Sequence, residues 1–396
     1  MRMRTAAVTA TTALGAAAGA LVAARSAAGA ILRPDSRRRY PPGFHGGELT
    51  VHGTGPDRVS LTRSLDSLLP GTYALSGPRG CAVVGEVVEP APVSGTASRT
   101  GGPPTAAVAA GDTDADTVVR RLLRVTSGTL ETGDRVRISP QVHSGDPGSA
   151  LGLDFSEVHL PGELGPLPAW LVPARRSTWV ITAHGLGATR EQPLAVLPDL
   201  HDLELPVLDL AHRGDRGAPR APGGLARLGS REWHDLDAAI RYAVRRGAER
   251  VVLYGWSTGA SMALHALQGS ALRARVSGVV LDSPVLDWRE TLRALAARRV
   301  PGPLVAPAVR AARARAGLGA AELDRIADPA RLTVPALLLH GPEDTVASWR
   351  ASRAYAGARP ELATLHTVRG APHAATWNVD PEGCGEALRR FLTPFV

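Results

Sequence analysis

Three residues, in one chain order, carry the types that acyl-transfer chemistry needs: Ser257, then Asp344, then His373. The serine lies in Gly255-Trp256-Ser257-Thr258-Gly259, after the apolar run Val251-Val252-Leu253-Tyr254 and before the helix-forming run Ala260 to Leu267. β-Branched residues suit the first run to a buried strand, and alanine and leucine suit the second to a helix. G-x-S-x-G at such a junction forces the serine into an unfavourable backbone conformation, and the two glycines remove side chains that would clash there. A hydroxyl held this way becomes a nucleophile when a base takes its proton and a carboxylate orients that base.

The partners follow downstream. VPALLLHGPEDTV sets Asp344 in the loop after a buried strand, and TVRGAPHAATWN sets His373 in the loop after the next one. In a parallel sheet both loops leave from the C-terminal strand ends, so both side chains can converge on Ser257. Glu343 is a neighbouring carboxylate, and Asp282, which ends the strand VVLD, is the alternative acid; order and loop context favour Asp344. His184 and His340 each lie at a strand end beside a glycine, where a structural hydrogen bond is the simpler reading, and His366 lies inside a strand pattern. The oxyanion of a tetrahedral intermediate needs N–H donors. TWVITAHGLGATRE ends a strand at His184-Gly185-Leu186-Gly187, which nominates the Leu186 N–H, with the Thr258 N–H as second donor.

The elements that must position these groups are legible as a rhythm. From about residue 150, FSEVHL, PAWLVPA, TWVITAH, PVLDLAH, RVVLYG, SGVVLD, VPALLLH and LATLHTV read as strands, with helical stretches between the later ones. Apolar strands alternating with helices predict an α/β fold: a mostly parallel central sheet with helices on both faces. The segment 230–248 predicts a helix capped by Ser230 and ended by Gly247. Residues 286–325, rich in arginine and carrying Pro301, Pro303 and Pro307, predict a helical cap inserted over the C-terminal edge of the sheet. Ahead of it, 32–150 reads as a small β-rich region with a flexible loop at 94–116, and 1–31 as a hydrophobic leader; the catalytic domain is expected over 151–396.

HGLGATR, GWSTGA, LDSPVLDW, HGPEDTV and APHAATWNVDP together resemble the α/β-hydrolase superfamily, within it the serine-aminopeptidase-like and lysophospholipase-like branch. EWHDLDAAIRYAVRRGAERVVLYGWSTGA is also similar to hydrolases of high-GC Gram-positive bacteria that carry an N-terminal extension. The resemblance implies the α/β-hydrolase fold with Ser257 as nucleophile, Asp344 as acid and His373 as base. One departure is Thr258-Gly259-Ala260 where that pattern often has Met-Gly-Gly; Ala260 is still small enough for close helix–sheet packing.

Composition narrows the classes. The 45 basic residues are all arginine, so a phosphate-loop lysine and a lysine Schiff base are excluded. The arginines are scattered and aromatics make up 4%, which argues against a nucleic-acid partner despite a net charge of +8. With two cysteines, Cys81 and Cys384, no disulfide framework or cysteine zinc site is expected. Arg2 and Arg4 precede an uncharged Ala-rich run from Thr5 to Ala24, which points to membrane association or export, a cytoplasmic chain being the alternative; Ala28-Gly29-Ala30 would suit a signal peptidase. The expected function is hydrolysis of a carboxylic ester on a small-molecule acyl substrate, with no metal or organic cofactor. Aminopeptidase or other amide hydrolysis is the alternative within enzymes, and a catalytically silent scaffold that binds a partner is the alternative outside them.

Overall fold

A computed structural model describes residues 41–44, 46–88 and 116–396, together with Ser26, Gly29 and Ile31–Arg33. The leader run 5–24 lies outside the described residues, as does the loop expected at 94–116 but for its last residue, Asp116. Among the described residues, no helix is long and apolar enough to cross a membrane. The chain divides into two units, Phe44–Val142 and the remainder.

Phe44–Val142 is a closed six-stranded barrel, where the sequence pattern showed only a β-rich region. Its strands are β1 (Leu49–Thr54), β2 (Arg58–Thr62), β3 (Tyr73–Ser76), β4 (Gly80–Val87), β5 (Thr117–Gly128) and β6 (Arg135–Ser139), in the order β1-β2-β5-β4-β3-β6. Alternation along a strand reports which residues face inward, but closure depends on the pairing of Leu49 with Val136, which local pattern does not encode. Among the described residues, one charged side chain of the barrel is fully buried. Arg120 is fully buried, and its guanidinium donates to the carbonyls of Gly85, Ser67, Leu69 and Gly71 at 2.6–3.1 Å.

The larger unit is built on an eight-stranded sheet: β7 (Ser156–Gly162), β8 (Gly165–Val172), β9 (Thr178–Ala183), β10 (Val207–Leu210), β11 (Arg250–Trp256), β12 (Val276–Asp282), β13 (Ala336–His340) and β14 (Ala363–Thr367). The order is β14-β13-β12-β11-β9-β10-β8-β7, parallel from β10 through β14 and antiparallel at β8. Successive residues of the central strands enter opposite layers. Ile181, Leu253, Val279 and Leu338 pack with the helices Trp233–Arg245 and Thr258–Gly269, whereas Val180, Val252, Val280 and Leu337 pack with Leu197, Leu200, Leu388 and Leu392 from the helices of the other face. Burial on both faces explains why these strands read as unbroken apolar runs.

One local expectation is revised. The helix expected from Ser230 begins at Trp233, because the Glu232 carboxylate accepts the N–H groups of Arg227 and Gly229 and builds a separate turn there. The cap consists of helices Trp288–Ala297, Gly302–Ala316 and Ala320–Ile326. Its apolar cluster also takes in Ile31 and Leu32, and the Leu32 carbonyl accepts the Ala226 N–H at 2.7 Å.

Candidate active site

Central strand β11 delivers Ser257 to the C-terminal edge of the sheet with φ 51° and ψ −109°. A non-glycine residue at positive φ costs on the order of 1–3 kcal/mol and persists only where its surroundings impose it. Two constraints do so here. The Ser257 N–H donates to the Asp282 carbonyl at 2.8 Å, which carries the β11–β12 ladder one residue past the strand. The following helix presses against β9 so closely that a Cβ on Gly259 would lie 2.0 Å from the Ala183 carbonyl oxygen, and one on Gly255 2.3 Å from Gly259. Glycine at both places is therefore a steric requirement of the turn.

The Ser257 hydroxyl lies 2.8 Å from His373 Nε2, and His373 Nδ1 lies 2.7 Å from Asp344 Oδ2. A carboxylate only accepts, so Nδ1 carries the proton and Nε2 is free to accept from the serine hydroxyl. Asp344 also accepts the Nε2–H of His340 at 2.9 Å and, on its other oxygen, the N–H groups of Val346 and Ala347 at 2.7 and 2.9 Å. Burial alone would raise the Asp344 pKa, but the two imidazoles outweigh it and hold this carboxyl well below the usual range. His373 is thus kept in one tautomer by a carboxylate that stays ionised. His340 is held in turn, its Nδ1 accepting the Ser352 hydroxyl at 2.7 Å.

With this geometry in hand, the chain can be set beside known proteins. A family described as a domain of unknown function (DUF8805) matches residues 50–100. No curated protein matches the chain. Among solved structures, the Pyrococcus furiosus esterase Pf2001 is 20% identical, with a TM-score of 0.52 over 64% of this chain and 95% of that one. Est1E from Butyrivibrio proteoclasticus, solved with ferulic acid bound, is 16% identical, with a TM-score of 0.48 over 60% of this chain and 98% of that one. The Xanthomonas campestris serine hydrolase XC6422, described as lacking a lid, is 16% identical, with a TM-score of 0.45 over 61% and 95%. The Pyrococcus likeness and the strand order agree. The larger unit has the α/β-hydrolase fold.

Within the α/β-hydrolase fold, the other sequence candidates fall as follows. Asp282 is buried beneath the histidine loop and does not reach His373: one oxygen accepts the Ser283 hydroxyl at 2.9 Å and the other the Thr376 hydroxyl at 2.5 Å. Burial, partly offset by those bonds, pushes its pKa up to about 6. Ser283 Oγ accepts the Ala374 N–H at 2.9 Å, so Asp282 anchors the turn that presents His373. Glu343 is exposed and accepts the Gly370 N–H at 2.7 Å, while His366 lies on edge strand β14, 4.0 Å from Asp380. The amides of Leu186 and Thr258 donate to no protein group among the described residues and border one cavity of about 20 Å3, room for about one water-sized atom.

The segment before Leu186 is pinned from several sides. Gln192 accepts the Gly185 N–H at 3.0 Å and reaches the Ala374 carbonyl at 3.5 Å, a link between the loops after β9 and β14 that the sequence did not announce. His184 lies 3.0 Å from the Gly185 carbonyl through Nδ1 and 2.8 Å from Asp215 through Nε2. His184, His212 and Asp215 bring their ligand-type atoms within 4.8 Å of one another. The two imidazoles are stacked at 4.2 Å and 24°, however, so their in-plane lone pairs run side by side instead of converging on a cation. The trio is built as an ion-pair cluster.

Proposed function

We propose that this chain is a serine hydrolase of the α/β-hydrolase fold that cleaves a carboxylic ester through an acyl-enzyme. One observation carries the reading: the hydrogen-bonded line Ser257–His373–Asp344, at 2.8 and 2.7 Å, rising from a serine held at φ 51°. In this mechanism Ser257 Oγ attacks the ester carbonyl carbon as His373 Nε2 takes its proton, and Asp344 stabilises the imidazolium. The Leu186 and Thr258 amides receive the oxyanion. His373 then gives the proton to the departing alkoxide, and water, deprotonated by the same nitrogen, releases the acid and restores the serine.

A small-molecule ester substrate is supported by the likeness to the Pyrococcus furiosus esterase; a cavity of about 560 Å3, lined in part by Phe155, Trp170 and Gly187, lies beside the Leu186 segment, and Ser257 and His373 are not among its lining residues. Among the branches of this fold, the motif string HGLGATR, GWSTGA, HGPEDTV favours the serine-aminopeptidase-like and lysophospholipase-like one. The test is labelling by a fluorophosphonate probe, followed by a panel of short-chain esters, longer acyl esters and aminoacyl amides. Wild type should label and Ser257→Ala should not. A folded wild type that stays unlabelled would leave the silent scaffold as the better reading, and turnover of amides in preference to esters would move the activity to peptidase.

A further inference from the structure

We propose that Asp215 and His184 are positioning residues that aim and polarise the peptide N–H of Leu186. The inference rests on the serine-hydrolase reading above and specifies how one half of its oxyanion hole is set. Both nitrogens of His184 face groups that can only accept: the Gly185 carbonyl at 3.0 Å and the Asp215 carboxylate at 2.8 Å. An imidazole in that setting donates from both nitrogens and is therefore an imidazolium. Asp215 is matched to it, since the same oxygen also accepts the His212 N–H at 2.7 Å. Burial by itself would lower the His184 pKa, but Asp215 and the Gly185 carbonyl outweigh it and the net shift is upward.

The consequence follows from peptide geometry. The Gly185–Leu186 bond is trans, and in a planar trans peptide the C=O and N–H point in opposite directions. Fixing the Gly185 oxygen on His184 therefore fixes the direction of the Leu186 N–H on the other side of the same plane. A charge-assisted bond to the oxygen also strengthens the N–H as a donor, because hydrogen bonds through one peptide polarise each other. The same carbonyl also accepts the Ala188 N–H at 3.2 Å, and the preceding peptide is held separately through the Gly185 N–H bound to Gln192. The stacked His212 ring blocks rotation of His184. Five other charged or titratable groups surround His184: Asp209 on β10; His212, Arg213 and Asp215 on the loop that follows; and Glu232 before the next helix. Arg213 is neutralised by Asp235 at 2.6 Å, which leaves Asp215 as the partner that bonds the imidazolium.

The experiment pairs a spectroscopic with a kinetic readout. In 15N-histidine-labelled wild type, with the His184 signals identified by their absence in His184→Gln, both ring nitrogens should be protonated at pH 7. A neutral His184 overturns the proposal, and this measurement needs no variant to be active. In Asp215→Asn, which keeps an acceptor but removes the charge, kcat should fall by about 10- to 100-fold, less than full removal of an oxyanion donor. KM should stay within about twofold, and affinity for an arylboronic acid, which forms a tetrahedral adduct on the serine, should fall with kcat/KM. Asp215→Glu should recover part of the loss. Unchanged kcat and boronate affinity in Asp215→Asn, or a change in KM alone, overturns the proposal. A wild type unreactive toward fluorophosphonate instead overturns the serine-hydrolase reading, so the two fail separately.

Discussion

His340 donates its Nε2–H to Asp344 across 2.9 Å, onto the same carboxylate oxygen that holds His373. Three residues lie between donor and acceptor, and β13 and its loop carry both. The Asp344 oxygen that holds His373 thus has a second fixed partner. His340→Ala should lower kcat by roughly 10-fold with KM little changed, through looser orientation of His373. Steady-state kinetics on the best ester of the panel check this, and His340→Gln, which can keep a donor, should lose less.

Asp344 and Asp282 make different predictions. Asp344→Asn should cost on the order of 10⁴-fold in kcat, because the amide favours the wrong tautomer of His373. Asp282→Asn should keep kcat within about tenfold and instead lower stability by about 1–3 kcal/mol, since an amide keeps only one acceptor oxygen and one of the two buried hydroxyls loses its acceptor. The reverse ranking in activity would move the acid to Asp282.

Asp344 also predicts acid sensitivity. Its folded pKa lies below its unfolded one, so it contributes stability that is complete above the unfolded value of about 3.9 and is lost as pH falls through the folded value. Urea midpoints of wild type should therefore fall more steeply below about pH 4 than those of Asp344→Asn. Parallel curves would show that Asp344 does not set the acid limit.

Asp209 works in the opposite direction. It is fully buried, one oxygen accepting the Thr182 hydroxyl at 2.8 Å and the other having no partner among the described residues, and burial pushes its pKa up to about 7. Stability linked to a raised carboxyl is complete below the unfolded pKa and is lost as pH rises through the folded one. Asp209→Asn should accordingly raise Tm at pH 8 and change it little at pH 5. An equal shift at both values would assign the effect to packing.

In the barrel, Arg120→Met should destabilise by roughly 3–5 kcal/mol, because it strips donors from buried carbonyls. Arg120→Lys should rescue only part of that, since one ammonium cannot span the carbonyls of Gly85, Ser67, Leu69 and Gly71. Thermal unfolding of the full chain reads both, and a Tm within experimental error of wild type for Arg120→Met would remove the guanidinium from the barrel's core energetics.

Local chemistry made much of this molecule legible before any coordinates. A strand ending in G-x-S-x-G before a run of alanine and leucine has few conformations open to it, and strands buried on both faces must be written as unbroken apolar runs. The eight strands of the sheet and the turn at Ser257 follow from such short-range constraints. Tertiary structure decided the rest. Whether Asp344 or Asp282 meets His373 depends on how loops from β12 and β13 face the loop after β14, and the hydroxyls of Ser283 and Thr376 claim Asp282. Closure of the barrel joins Leu49 to Val136, and the bonds of Asp215 to His184 and of Gln192 to Gly185 join residues from separate loops. Propensity and periodicity act over a few residues along the chain, whereas these pairings exist only once sheet order and register have brought distant residues together.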